Sequence, residues 1–179
     1  MLLQKDEIIQ KYSKLNENYH FSDSNVIYKE GKKYDLFLSY NHKDRELARA
    51  VYQELKKQGI SVYVDFIDPT FKPIVDKTTA LILCDRLANC RALAYIHTAN
   101  ASNSKWCPWE IGIASGLKDF KCVIIPAIEK NDNEFQRQEY LLLYPYVSFN
   151  PDNHGNGPFF WVRTDDSSKS QKLINWIKS

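Results

Sequence analysis

From Tyr34 to Phe66 the chain reads "YDLFLSYNHKDRELARAVYQELKKQGISVYVDF", and its hydrophobic period changes twice. "YDLFLSY" is a short, apolar, aromatic-rich run, the composition of a strand. In "HKDRELARAVYQELKKQG" the apolar residues Leu47, Val51 and Leu55 recur every fourth position and predict one face of a helix. Asp44 stands where a capping acid is wanted, and Gly59 where a helix ends. "ISVYVDF" is a second strand. Strand, helix and strand in this order form a crossover unit, which parallel pairing requires.

The alternation continues downstream. "IDPTFKPIV" (67–75) holds two prolines and predicts a loop. "DKTTALILCDRLANC" (76–90) predicts a helix with Ala80, Leu83 and Leu87 inward, and "RALAYIHTA" (91–99) a third strand. "SKWCPWEIGIASGLKDF" (104–120) predicts a third helix, and "KCVIIPAI" a fourth strand stopped at Pro126. "YVSFN" (146–150) is a short fifth strand, and "SSKSQKLINWIKS" closes the chain as an amphipathic helix. Upstream, residues 2–16 predict a helix with Ile8, Ile9, Tyr12 and Leu15 at helical spacing. "NENYHFSDSNVIYKEGKK" (16–33) reads as a linker or loose hairpin. The expected organisation is an N-terminal helix and linker over 1–31 and one main domain over 32–179. Near-continuous apolar strands between helices predict an α/β fold, a flavodoxin-like doubly wound sheet of about five parallel strands with an N-terminal helical extension. Ligands of such sheets bind beyond the carboxyl ends of the strands. "SYNHKD", "FIDPTFKP" and "HTANASNSKW" leave the sheet at that edge.

Composition narrows the function. The 179 residues suit one domain, and 44% hydrophobic with 26% charged residues is ordinary for a globular chain. A net charge of +2, from lysines scattered among acids, argues against a nucleic-acid partner. None of the four cysteines forms a C-x-x-C pair, and the four histidines do not bracket them at zinc-like spacing, so no metal site is expected. The N-terminus is charged early and no run reaches the roughly 18 apolar residues of a membrane span. A cytoplasmic protein with reduced thiols and no membrane partner is expected.

The third helix carries the chemistry. With Trp106 at 0° and about 100° per residue, Trp109 falls at about 300°, Ile113 at about 340°, Leu117 at about 20° and Ala114 at about 80°. Glu110 falls inside this apolar arc at about 40°, one turn from Trp106. Pro108 belongs in the first turn of the helix. Two readings are open for Glu110: an acid capping the helix N-terminus, or a site carboxylate that needs a ligand hydroxyl or cation beside it.

The motifs resemble a family. "YDLFLSYNHKD" resembles the first strand and loop of TIR (Toll/interleukin-1 receptor) domains, and "GISVYVDF" their second strand. "IDPTFKPIV" sits where their BB loop lies, and Trp106 to Glu110 matches the W-x-x-x-E motif of bacterial TIR domains. The resemblance covers roughly residues 33–179 and implies cleavage of NAD⁺ between nicotinamide and ribose, with Glu110 in the catalytic position. Such cleavage builds positive charge on the ribose, which a carboxylate stabilises. NAD⁺ is then substrate and no cofactor is needed. Trp106 and Tyr40 are candidates to stack on flat rings, and Ser39, Asn41 and Lys43 to bind ribose or diphosphate. Asp65 is a candidate to orient a ribose or to cap the BB loop.

The absence of an appended sensor or effector domain resembles the small TIR proteins of Thoeris-type anti-phage systems. That resemblance implies an ADP-ribose-derived signal, cyclic or linear, read by a separate effector protein, self-association through TIR surfaces, and a phage-derived activator. Two alternatives stand beside it: a non-enzymatic TIR adaptor acting by TIR–TIR contact, and a cysteine hydrolase using Cys107 with His42 or His97.

Overall fold

The computed structural model describes residues 1–16, 28–71, 76–117, 119, 121–130, 132, 138–150, 159–164 and 170–179. The strands are β1 (Leu3–Gln4), β2 (Tyr34–Ser39), β3 (Val62–Tyr63), β4 (Cys90–His97), β5 (Cys122–Ile128), β6 (Tyr146–Asn150), β7 (Phe159–Arg163) and β8 (Gln171–Lys172). The α-helices are α1 (Lys5–Asn16), α2 (Arg45–Lys57), α3 (Lys77–Ala88), α4 (Trp106–Leu117) and α5 (Leu173–Lys178).

One sheet runs β3-β2-β4-β5-β6-β7-β8. Its first five members are parallel, in the order second, first, third, fourth, fifth of the alternating units, which is the flavodoxin-like order. β7 and β8 extend the edge as antiparallel strands. Right-handed crossovers divide the helices between the two faces; α1 packs on α2, and α3 on α4. The β2 and β4 runs are almost wholly buried because both faces are covered.

Several expectations hold in detail. Leu47, Val51 and Leu55 are all fully buried, and Gly59 ends α2 with φ of 76°. Asp76, which the sequence reading did not single out, caps α3 by accepting from the Thr79 N–H at 2.7 Å.

Others are corrected. Asp44 makes no side-chain cap for α2. Its buried carboxylate instead accepts from Thr98 Oγ1 at 2.6 Å and Asn100 Nδ2 at 2.8 Å, with Lys5 Nζ at 3.5 Å. The acid at the head of α2 therefore ties down the loop after β4. In α3 the inward residues are Thr79, Leu83 and Leu87, and Ala80 is only half-buried.

β5 does not stop at Pro126 but runs to Ile128. Ile124 donates its N–H away from β4, to Pro145 O at 2.9 Å. Two residues on, the missing N–H of Pro126 falls on that same edge, where the partner changes from β6 to β1. Residues 3–4 are strand rather than helix, pairing with Ala127 and Ile128. Leu3, Ile8 and Tyr12 join the main core, so the N-terminal segment packs with the rest. The closing helix is six residues, preceded by β8. The linker expected within 16–33 lies outside the described residues over 17–27.

Candidate active site

The sheet's switch point lies between β2 and β4, whose crossovers leave in opposite directions, and the loops beyond their carboxyl ends meet there. Asn41, after β2, donates from Nδ2 to Asn100 O at 3.0 Å, after β4. Beside this bridge is a cavity of about 60 Å³ onto which Ser39, Tyr40, Asn41, Asp65, Trp106 and Glu110 all face. Ser39 ends β2, Asp65 follows β3, and Trp106 and Glu110 lie one turn apart on α4. Six of the seven predicted site residues thus meet in one place. Lys43 does not; it is exposed and off the cavity wall.

Glu110 sits at the margin of the buried face of α4. That face is made by Cys107, Ile111, Ala114 and Ser115. Leu117 is 52% exposed and Trp109 38%, so the apolar arc read from the sequence is rotated from the true one. The reason is physical: α4 is apolar nearly all round, so its sequence does not fix which side is buried. Ser115 settles there by hydrogen bonds to Ile111 O and Tyr144 Oη, both 2.7 Å. Trp106 is half-buried and braced edge-on by Trp109, with ring centroids 5.2 Å apart at 80°.

This position matters for the Glu110 carboxyl. Burial raises its pKa, the Ser39 hydroxyl pulls it back and the nearby charge of Asp65 raises it, to about 8 in all. No backbone N–H among the described residues donates to it, so it is not a capping acid of α4. The Ser39 hydroxyl is buried and, although close enough to influence Glu110, makes no hydrogen bond of good geometry. Carboxyl and hydroxyl together are polar groups held at a cavity without full satisfaction, the state a ligand relieves.

The other wall is preorganised. Tyr40 is buried and donates from its hydroxyl to Asp65 Oδ1 at 2.7 Å. Burial, then the Asp65 charge, hold that phenol protonated by raising its pKa. Asn41 spends its amide within the protein, on Asn100 O and on the Lys43 N–H at 3.0 Å. His42 lies at the rim with Nδ1 3.6 Å from Asp65 Oδ2. Phe71, Thr79, Leu83 and Ser104 also line the cavity. The sequence reading missed them; Thr79 and Leu83 stand one turn apart on α3, and a correct inward face for that helix finds both.

Residues 36–174 match the TIR domain family. The chain belongs to the TIR domain family. Over 193 aligned positions, covering 99% of this chain and 98% of the relative, it is 31% identical to a Bacillus cereus (strain MSX-D12) protein named "Probable 3' cyclic ADP-D-ribose synthase ThsB'". A Cytobacillus dafuensis protein named for cyclic ADP-D-ribose synthesis is 27% identical over 96 residues, 51% of this chain and 25% of that one. Among solved structures, the TIR domain of the Toll-related receptor TRR-2 from Hydra magnipapillata is similar at a TM-score of 0.46 and 18% identity. That likeness covers 61% of this chain and 78% of the receptor domain.

Within this TIR domain the cysteine chemistry falls away. Cys107 is 1% exposed and burial pushes its thiol up to about 11, so no thiolate is present at neutral pH. His97 is buried at the end of β4, its Nε2 3.2 Å from Ser102 Oγ, and burial lowers its pKa. It holds the loop and does not face the Glu110 cavity. None of the four cysteines is in a disulfide.

Proposed function

We propose that this TIR domain cleaves NAD⁺ at the bond between nicotinamide and ribose and rejoins the ADP-ribose to itself, making a cyclic signalling molecule. The observation that carries the reading is Glu110, a carboxyl with its pKa raised to about 8 at a cavity walled by Trp106 and Tyr40. Similarity to a relative named as a cyclic ADP-D-ribose synthase, across nearly its whole length, supports it.

The chemistry follows from the charges. The nicotinamide ring of NAD⁺ is cationic, and its arrival beside Glu110 favours loss of the carboxyl proton. As the C1–N bond breaks, the electron pair leaves with nicotinamide and positive charge passes to the ribose. The half-desolvated Glu110 carboxylate then stabilises that charge more strongly than water does. Nicotinamide leaves as a neutral molecule, so no acid is required. The cavity of about 60 Å³ is far below the ~300–1,000 Å³ of an ordinary ligand pocket, so in this conformation it holds at most a part of the dinucleotide. Ser39, Tyr40, Asp65 and Trp106 hold the ribose and ring there, and Asn41 shapes the wall.

The protein works in the cytoplasm, in anti-phage defence of the Thoeris type. It assembles through its TIR surfaces on a phage-derived trigger and hands its product to a separate effector. No helix among the described residues is long and apolar enough to cross a membrane. The test is mass spectrometry of NAD⁺ incubated with the purified protein, alone and with lysate of infected cells. Free nicotinamide with a product one water lighter than ADP-ribose is expected. NAD⁺ intact in both conditions, with the protein binding other TIR domains, favours the adaptor instead.

A further inference from the structure

The same cavity has one side chain, His42, that bond cleavage does not use. Tyr40 Oη, Asp65 and His42 form a chain along its rim. The phenol donates to Asp65 Oδ1 at 2.7 Å, and Asp65 Oδ2 faces His42 Nδ1 at 3.6 Å. The Tyr40 and His42 rings meet edge-on with centroids 6.0 Å apart. His42 is held on one side only: its side chain is 58% exposed, and Nε2 has no protein partner among the described residues.

We propose that His42, oriented by Asp65, is the base that takes the proton from the hydroxyl that attacks the ribose carbon. The proposal rests on the NAD⁺-cleaving reading above and assigns the step after cleavage. The two steps make opposite demands. Cleavage needs fixed negative charge beside the ribose, and the sheltered Glu110 supplies it. Capture by a hydroxyl releases a proton at the open side of the site, and an acceptor must stand there. Asp65 is less exposed than His42, with Oδ1 accepting from the Tyr40 phenol and Oδ2 3.6 Å from His42 Nδ1. The Tyr40 phenol keeps its proton. His42 is the group at the rim with an open lone pair, and an imidazole is the side chain suited to proton transfer near neutral pH.

With Nδ1–H turned to Asp65, Nε2 carries the lone pair, the arrangement by which an acid orients a histidine base. The step balances. The C1–N bond has broken with its electron pair on nicotinamide. A hydroxyl oxygen at the other end of the same ADP-ribose shares a lone pair with C1 and forms the new C–O bond. Its proton passes to His42 Nε2, and the imidazolium returns it to solvent. No oxidant, metal or further reactant enters.

Without the base, the ribosyl cation is left to bulk water, whose excess needs no positioned acceptor. The readout is therefore the ratio of cyclic product to linear ADP-ribose, measured by mass spectrometry from NAD⁺ under conditions where the wild type releases nicotinamide. His42→Gln is expected to lower that ratio by about tenfold or more, in the range of a lost general base. Asp65→Asn is expected to lower it in the same direction, as a positioning residue. Thermal melting checks both folds, and the exposure of His42 makes its variant the safer one. An unchanged ratio in a folded His42→Gln overturns the proposal. So does loss of nicotinamide release in step with cyclic product, which places His42 in bond cleavage, and so does a wild type that yields linear ADP-ribose alone. A wild type that leaves NAD⁺ intact overturns the function reading itself.

Discussion

At the scale of single residues, one carboxyl joins stability to activity. Glu110 has a folded pKa of about 8 against an ordinary 4.5. Between those values the folded chain holds a proton that the unfolded chain releases, so this group lowers stability as pH rises. Glu110→Gln removes the titration at little change of shape. Its melting temperature is expected to exceed that of the wild type at pH 8.5, with the gap closing by pH 5. An equal gap at both pH values counts against a raised pKa. On the proposed mechanism the same carboxyl sets the pH profile of catalysis. If its ionised form stabilises the ribosyl cation, kcat/KM is expected to rise with pH and level off above about 8; a profile flat from pH 6 to 9 contradicts this. Glu110 stood out in the sequence as an acid one turn from a tryptophan on a helix otherwise apolar, with helix capping the alternative left open. Its orientation was not legible. A helix apolar on every side offers no polar face to fix the wheel, and burial went to Cys107, Ala114 and Ser115 rather than to Leu117.

At the scale of elements, loops rather than helices carry the unforeseen work. The alternation of strands and helices was plain, because Leu47, Val51 and Leu55, or the run "CVIIPAI", allow one period each. What pattern could not show is where a side chain goes when it has a choice. Asp44 stands at a helix start, yet it reaches across to Thr98 and Asn100 and draws Lys5 toward it. Since Asn100 O also accepts from Asn41, this acid fixes the loop that walls the cavity. Asp44→Ala leaves the buried Thr98 hydroxyl without its acceptor. Urea unfolding is expected to show a loss of roughly 3–6 kcal/mol, the scale of two charge-assisted hydrogen bonds. NAD⁺ cleavage is expected to fall with it. Unchanged stability shows that the loop holds itself. Pro126 is the parallel case: a proline that reads as a stop is tolerated where a strand changes partners on one edge.

At the scale of the whole molecule, the N-terminal residues belong to the architecture that carries the site. β1 pairs with the far end of β5, the Met1 carbonyl accepts from the Phe149 N–H at 2.8 Å, and Tyr12 and Lys11 both reach the buried Glu54. Leu3, Ile8 and Tyr12 are each nearly fully buried. At ~1.5–3 kcal/mol per large side chain, removing them costs about as much as a domain's entire ~5–15 kcal/mol of stability. Deleting residues 1–16 is therefore expected to leave an insoluble chain or one melting more than about 10 °C lower; an unaltered melt contradicts this packing. β1 and β8 were invisible in the sequence because strands of two residues take their form from a neighbour and carry no period of their own, whereas the apolar run "FFWVR" of β7 does carry one and was passed over. The central claim is that the Glu110 cavity breaks NAD⁺. Its most direct measurement is nicotinamide release by wild type and Glu110→Gln at equal concentrations of folded protein. A fall of at least about 100-fold in the variant is predicted, and an unchanged rate contradicts the account.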